Sequence, residues 1–299
     1  MLIILQQLSI LYIFLLVGFL FGKWKKEQTN HTGILSFLLV NLLLPAKVFK
    51  TFSANFTTSY ITENGKTIIV SLTLLFALIF LSLILARLIT KDKYEQKVYR
   101  YSLTLSNYAY MGYALCESVF GERGLTDLIL FCIPFAIYTY TFGYAMLTGK
   151  GDFIKKLFNP MTFSILLGII FGLFGIKIPE IPQTVISSAS SCVAPISMLL
   201  TGLVLSSFRI RELVSDYKAY ILVAIRLILL PALVFGACRL FSLDFVIVPA
   251  VMMACMPCGL NSIVFPKLIN ENCESGARLA LLSHFFSVAT VPFWLSLVQ

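Results

Sequence analysis

The chain has 299 residues, 59% of them hydrophobic and only 12% charged, with a mean hydropathy of +0.91. A soluble domain carries about 25% charged residues, so this sequence lacks the polar surface of a water-soluble fold. Its net charge of +9 comes with no RNA- or DNA-binding module and points to membrane topology and anionic lipid, not nucleic acid.

Ten apolar runs follow one another, each of roughly 20 residues, as a ~30 Å hydrocarbon core requires. They are Leu2–Gly22, Thr32–Phe52, Thr67–Leu85, Tyr101–Phe120, Leu125–Leu147, Pro160–Phe174, Thr184–Leu205, Ala219–Phe241, Phe245–Leu268 and Ser275–Val298. The sixth is short, with room to extend to Ile178. In the first, Lys23, Lys25 and Lys26 follow the apolar run instead of preceding it, and no small-residue cleavage site appears, so it reads as a span and not a signal peptide. The expected class is an all-α polytopic membrane protein.

Charge then orients the spans. With the N-terminus outside, the cytoplasmic loops collect Lys23, Lys25, Lys26, Arg87, Lys91, Lys93, Lys97, Arg100, Lys150, Lys155, Lys156, Arg209, Arg211, Lys218, Lys267 and Arg278. The external loops keep Lys66, Arg123, Lys177 and Arg239. This positive-inside bias predicts both termini outside a cytoplasmic membrane.

One half laid on the other puts Pro45 on Pro195, Asn107 on Pro257 and Leu125 on Ser275. Five spans per half is an odd number, so the second half enters the membrane the opposite way round. The sequence therefore predicts two inverted five-helix repeats, 1–150 and 151–299. Two interruptions fall at corresponding places: Ser106-Asn107-Tyr108 to Gly112 in span four, and Met256-Pro257-Cys258-Gly259-Leu260-Asn261 in span nine. A backbone break in lipid is tolerated only where protein or a water-filled cavity satisfies the freed N–H and C=O groups, and paired breaks mark the substrate site of a secondary transporter.

The residues at the breaks suit an anion. Pro257 removes a donor and Gly259 permits unusual dihedrals, while Asn261 and Ser262 open a half-helix whose N-terminus carries free N–H groups and partial positive charge. Ser106, Asn107 and Tyr108 lie at matching depth, with Met111 and Gly112 beside them. The alternative is that Pro and Gly only kink helices and Asn only glues them together.

Thr104-Leu-Ser-Asn-Tyr-Ala-Tyr-Met-Gly-Tyr-Ala-Leu with Phe120-Gly-Glu-Arg-Gly resembles the fourth-span signature of the auxin efflux carrier family. Asn159-Pro160, Ala194-Pro195-Ile-Ser-Met-Leu-Leu-Thr-Gly-Leu, Arg226-Leu-Ile-Leu-Leu-Pro231 and Met256-Pro257 through Asn261 with Lys267 are similar to its later signatures. The compact length resembles the bacterial malate- or malonate-type permeases. The resemblance implies a bile acid:sodium symporter-like fold with crossing helices four and nine, a scaffold of spans one, two, six and seven, and a moving transport part of spans three to five and eight to ten. It implies a substrate-binding role for Asn107, a crossover role for Pro257, and permits a homodimer. At Ala114 this chain departs from the pattern, since members carry a proline soon after the Met-Gly pair, and how fully span four breaks is left open.

Four ionisable residues within spans are candidates for coupling or anion attraction: Lys47, Glu117, Arg226 and His284. Lys47 and Arg226 lie within snorkelling reach of headgroups, Glu117 within reach of solvent at a helix end, and His284 titrates near neutrality when unperturbed. Cys255 and Cys258 form a C-x-x-C pair, which raises a membrane thiol oxidoreductase or soft-metal transporter as the rival class. Lacking a second cysteine pair, a flanking His or carboxylate, or any hydrolytic or Walker motif, the chain reads as a carrier of a small organic anion, a mono- or dicarboxylate. It is expected to use no cofactor beyond a coupling H+ or Na+, and to perform no enzymatic chemistry.

Overall fold

The computed structural model describes residues 2–24, 31–149, 159–267, 269 and 271–299. Lys25, Lys26, Lys150, Lys155 and Lys156, part of the expected cytoplasmic charge, lie outside the described residues. In chain order the main helices are α1 (Leu2–Trp24), α2 (Thr32–Asn55), α3 (Lys66–Ile89), α4 (Lys93–Thr104), α5 (Tyr108–Thr148), α6 (Pro160–Phe174), α7 (Glu180–Ser206), α8 (Tyr217–Leu240), α9 (Ile247–Cys255), α10 (Asn261–Lys267) and α11 (Glu274–Ser296). Seven of them, α1, α2, α3, α5, α7, α8 and α11, are long and apolar enough to cross a membrane. Their outward faces carry exposed Leu16, Phe21, Phe76, Phe80, Ile228 and Phe285, a surface that suits lipid and not water.

Local chemistry explains where the helices stop. α6 starts at Pro160, whose missing N–H is one of the orphan donors of a first turn, and the Asn159 side chain accepts the Thr162 N–H at 3.0 Å. It ends at Gly175, in the left-handed region, so the sixth span does not extend to Ile178. α4 starts at Lys93, ahead of the expected Tyr101, because the Asp92 carboxylate accepts the Glu95 N–H at 2.7 Å and caps it. Its polar first turns hid that start from a hydropathy reading. Within α5 the chain kinks at Gly121, with φ 73° and ψ −171°, a conformation that a side-chain-bearing residue resists. The expected loop between spans four and five is therefore a turn about one glycine.

Packing arranges these elements around the two interruptions. α1 lies along the Val193–Ser206 part of α7, and α2 lies along α6. α3 packs on α4 and α5, while α9 is held among α5, α8 and α11. The breaks thus sit at the centre, enclosed by α5, α8 and α11.

Candidate functional site

Both interruptions are extended segments, and they meet. Leu105 ends α4 with φ −117° and ψ 131°, and Met256 ends α9 with φ −67° and ψ 148°. Ser106 and Cys258 then pair as antiparallel neighbours, and the Asn107 N–H donates to Pro257 O at 2.8 Å. That bond satisfies one backbone group of each break where lipid could not. Gly259 makes the approach feasible, since a Cβ there would stand 3.1 Å from Ser106 O. Span four is fully broken without a proline: Ala114 sits beyond the break, after a π-helical turn at Tyr108–Gly112.

The crossing has two chemically opposite sides. On one, the carbonyl ends of α4 and α9 converge on Arg226. Its Nη1 donates to Leu103 O at 3.1 Å, Nη2 to Met253 O at 3.1 Å and Nε to Met256 O at 3.3 Å. Met253 O also accepts from Ser106 Oγ at 2.7 Å. A π-helical turn, Ile225–Leu229, aims Arg226 inward, and α8 continues through Pro231. Pro231 has no N–H to offer Leu227 O four residues back, and Trp294 Nε1 donates to that oxygen instead at 2.8 Å. Arg226 is completely buried, so the expectation that it reaches headgroups is corrected: its polar head is held by carbonyls inside the protein.

On the other side, the amide ends of the half-helices face a cavity of about 30 Å³ lined by Ser106, Asn107, Tyr108, Tyr110, Gly259 and Asn261, with Tyr101, Thr139 and Tyr140. Asn261 and Tyr140 also line a larger cavity of about 410 Å³, which runs past Ser36, Asn41 and Phe265 to Thr32 in the first turn of α2 and Lys267 in the last turn of α10. Tyr110 OH donates to Asn261 Oδ1 at 3.4 Å. Asn107 Nδ2 lies 3.1 Å from His284 Nε2.

A chain with this architecture can be placed among known proteins. A family model described as a membrane transport protein matches residues 3–153 and 149–295. The chain belongs to the auxin efflux carrier family of membrane transport proteins. It is 28% identical over 302 residues to an uncharacterized transporter of Methanocaldococcus jannaschii, covering 95% of this chain and 96% of that one. It is 25% identical over 198 residues to an uncharacterized transporter of Methanothermobacter thermautotrophicus, covering 64% of each. The chain and its relatives are transporters, a class generally without enzymatic chemistry.

The sequence-derived candidates separate into groups in this family member. Ser106, Asn107, Tyr108, Gly259 and Asn261 line the small cavity. Met111, Cys258 and Ser262 are fully buried behind it; Ser262 Oγ donates to Gly259 O at 2.8 Å, holding the turn before α10, and the Cys258 N–H donates to Ser283 Oγ at 3.0 Å. Pro257 accepts the crossing hydrogen bond, and Gly112 packs against Met256. Lys47 does not snorkel. It is buried in α2 and forms an ion pair with Glu117 of α5, so its charge is already neutralised. Lys50–Glu122 and Arg123–Glu63 extend this linkage between 44–64 and α5, at 3.6 Å and 3.2 Å.

Cys255 and Cys258 are free, fully buried thiols. Among the described residues no group of three or more His, Cys, Asp or Glu could hold a metal ion. Sequence reasoning missed Thr139, Tyr140 and Asn41. The first two belong to Tyr138-Thr-Tyr-Thr141, a polar run inside an apolar span that was a readable signal; Asn41 had none.

Proposed function

We propose that this protein is a secondary carrier of small organic anions, mono- or dicarboxylates of malate-like size. The observation that carries the reading is the convergence of two half-helix amide ends on one cavity beside Asn107 and Asn261. The amide end of the long helix α5 presents about +0.5 elementary charge, and the Asn107 and Asn261 amides beside it add neutral donors, which together favour a carboxylate without a full protein charge. The larger cavity then takes the body of the substrate, between its apolar wall of Phe37, Val40, Val204, Ile263, Val264 and Phe265 and the polar Ser36, Asn41 and Lys267.

Alternating access of the elevator type fits the packing. The α1–α7 and α2–α6 contacts support a scaffold, and α3 to α5 with α8 to α11 support a transport part that moves against it. Counting α4 with the first part of α5 as one pass, the rest of α5 as another, and α9 with α10 as a broken third gives ten passes in two inverted five-helix repeats. On the charge bias both termini lie outside the cytoplasmic membrane, and Lys267 stands at the cytoplasmic mouth of the open cavity. Proton coupling and uniport both fit, and a homodimer is compatible with the lipid-facing surface.

Uptake of labelled malate into proteoliposomes, with and without an imposed pH gradient, tests the reading. Uptake that unlabelled carboxylates compete away and that Asn107→Ala weakens is the expected outcome. An absence of uptake across a panel of mono- and dicarboxylates would remove the organic-anion assignment.

A further inference from the structure

Arg226 is a full positive charge buried in the centre of a membrane protein, and no carboxylate pairs with it among the described residues. A buried cation normally requires a counter-charge. What surrounds it instead is a set of backbone oxygens, Leu103 O at 3.1 Å, Met253 O at 3.1 Å and Met256 O at 3.3 Å. These belong to the C-terminal ends of α4 and α9. Each free helix C-terminus carries about −0.5 elementary charge, so two of them supply the equivalent of one negative charge. The electrostatic balance closes without an acidic side chain.

Backbone oxygens at the C-terminal ends of broken helices are also how ion-coupled carriers coordinate a metal cation. We infer that the ends of α4 and α9 form a carbonyl-lined cation site and that the Arg226 guanidinium is its permanent, covalently tethered occupant. The side chain does the electrostatic work of a monovalent coupling cation, and the protein holds its crossing together without sodium or potassium. The arrangement also divides the crossing by charge. Arg226 neutralises the carbonyl ends, and Ser106 is wired to it through their shared acceptor, Met253 O. The start of α5 and the turn before α10 lie on the opposite side, at the small cavity lined by Asn107 and Asn261.

The test is thermal unfolding of purified wild type, Arg226→Lys, Arg226→Gln and Arg226→Ala in detergent, in choline, sodium, potassium or methylguanidinium chloride at equal ionic strength. Wild type is expected to unfold at the same temperature in choline and sodium. Arg226→Lys should stay near wild type, while Arg226→Gln and Arg226→Ala lose several degrees and regain at least half of the loss with methylguanidinium or sodium. Three results overturn the inference: an Arg226→Gln protein as stable as wild type, a folded Arg226→Ala protein indifferent to every cation, or a wild type that sodium stabilises by several degrees. Should neither neutral variant fold, the wild-type arm and the Lys variant decide, and an Arg226→Lys protein that also fails to fold in any salt counts against a site that accepts a cation as such. These arms read stability alone and stand whether or not the anion-carrier reading holds. A companion uptake assay rests on that reading; there, a tenfold loss on replacing sodium by choline would overturn the tethered-cation assignment while leaving the carrier intact.

Discussion

Asn107 and His284 hold each other in place at the crossing: Asn107 Nδ2 lies 3.1 Å from His284 Nε2, and His284 Nδ1 lies 2.7 Å from Ala280 O. A carbonyl only accepts, so Nδ1 carries the ring proton and Nε2 accepts from the Asn107 amide. Tyr12 OH donates to the His284 carbonyl at 2.9 Å, tying the same turn of α11 to α1. One N–H of Asn107 is committed to the ring, which leaves its oxygen and second N–H for the cavity that it lines. His284→Ala should free the amide to rotate. With about 1 kcal/mol for one such hydrogen bond, the KM for anion uptake should rise about fivefold. An unchanged KM would show that the ring does not position Asn107.

The Lys47–Glu117 pair is asymmetric, with side-chain exposures of 4% and 33%. Glu117→Gln strands a buried ammonium and should cost about 2–3 kcal/mol, below the full cost of breaking a buried pair because the carboxylate is one-third exposed. Lys47→Met strands a carboxylate that still reaches solvent and should cost less. The double variant Lys47→Met/Glu117→Leu should recover most of the loss. Thermal unfolding in detergent ranks the three, and equal losses for the two single variants would contradict the burial argument.

Gly259 admits no side chain without moving Ser106, whose carbonyl oxygen would lie 3.1 Å from a Cβ. Gly259→Ala is expected to cost about 1–3 kcal/mol and to part the Ser106–Cys258 pairing. Uptake per folded molecule should fall further than the folded yield measured by size-exclusion chromatography. Normal uptake at normal yield would mean that the crossing tolerates a wider separation.

The larger cavity offers an accessibility test. Ser36→Cys, in a Cys192→Ser/Cys273→Ser background that removes the two partly exposed thiols, should react with a charged methanethiosulfonate added from the face bearing Lys267. A transported anion should slow that reaction. Labelling that no transported anion slows would separate this cavity from the substrate path.

Much of this protein could be read from residue order alone. Pro160 after Asn159 marked the start of α6, the run around Ser106 to Gly112 and the Pro257-Cys258-Gly259 segment marked the breaks, and the scarcity of charge marked the membrane. These are local signals: a missing N–H, a cap or an apolar run acts within a turn or two of itself. Asp92 capping α4 was equally local, and it was overlooked because the turns that it starts are polar.

What only the tertiary structure decided is which distant groups face one another. Lys47 and Arg226 looked alike, basic residues within reach of headgroups, yet one meets Glu117 and the other meets three carbonyl oxygens. His284 was an isolated histidine until α11 set it against Asn107. Ser262 Oγ, a ligand candidate from its place in the chain, donates to Gly259 O and so also holds its own turn. Composition sets the solvent and punctuation sets the breaks, because both act along the chain. Charge pairing at the crossing depends on where two helix ends arrive in space, and nothing along the chain encodes that distance.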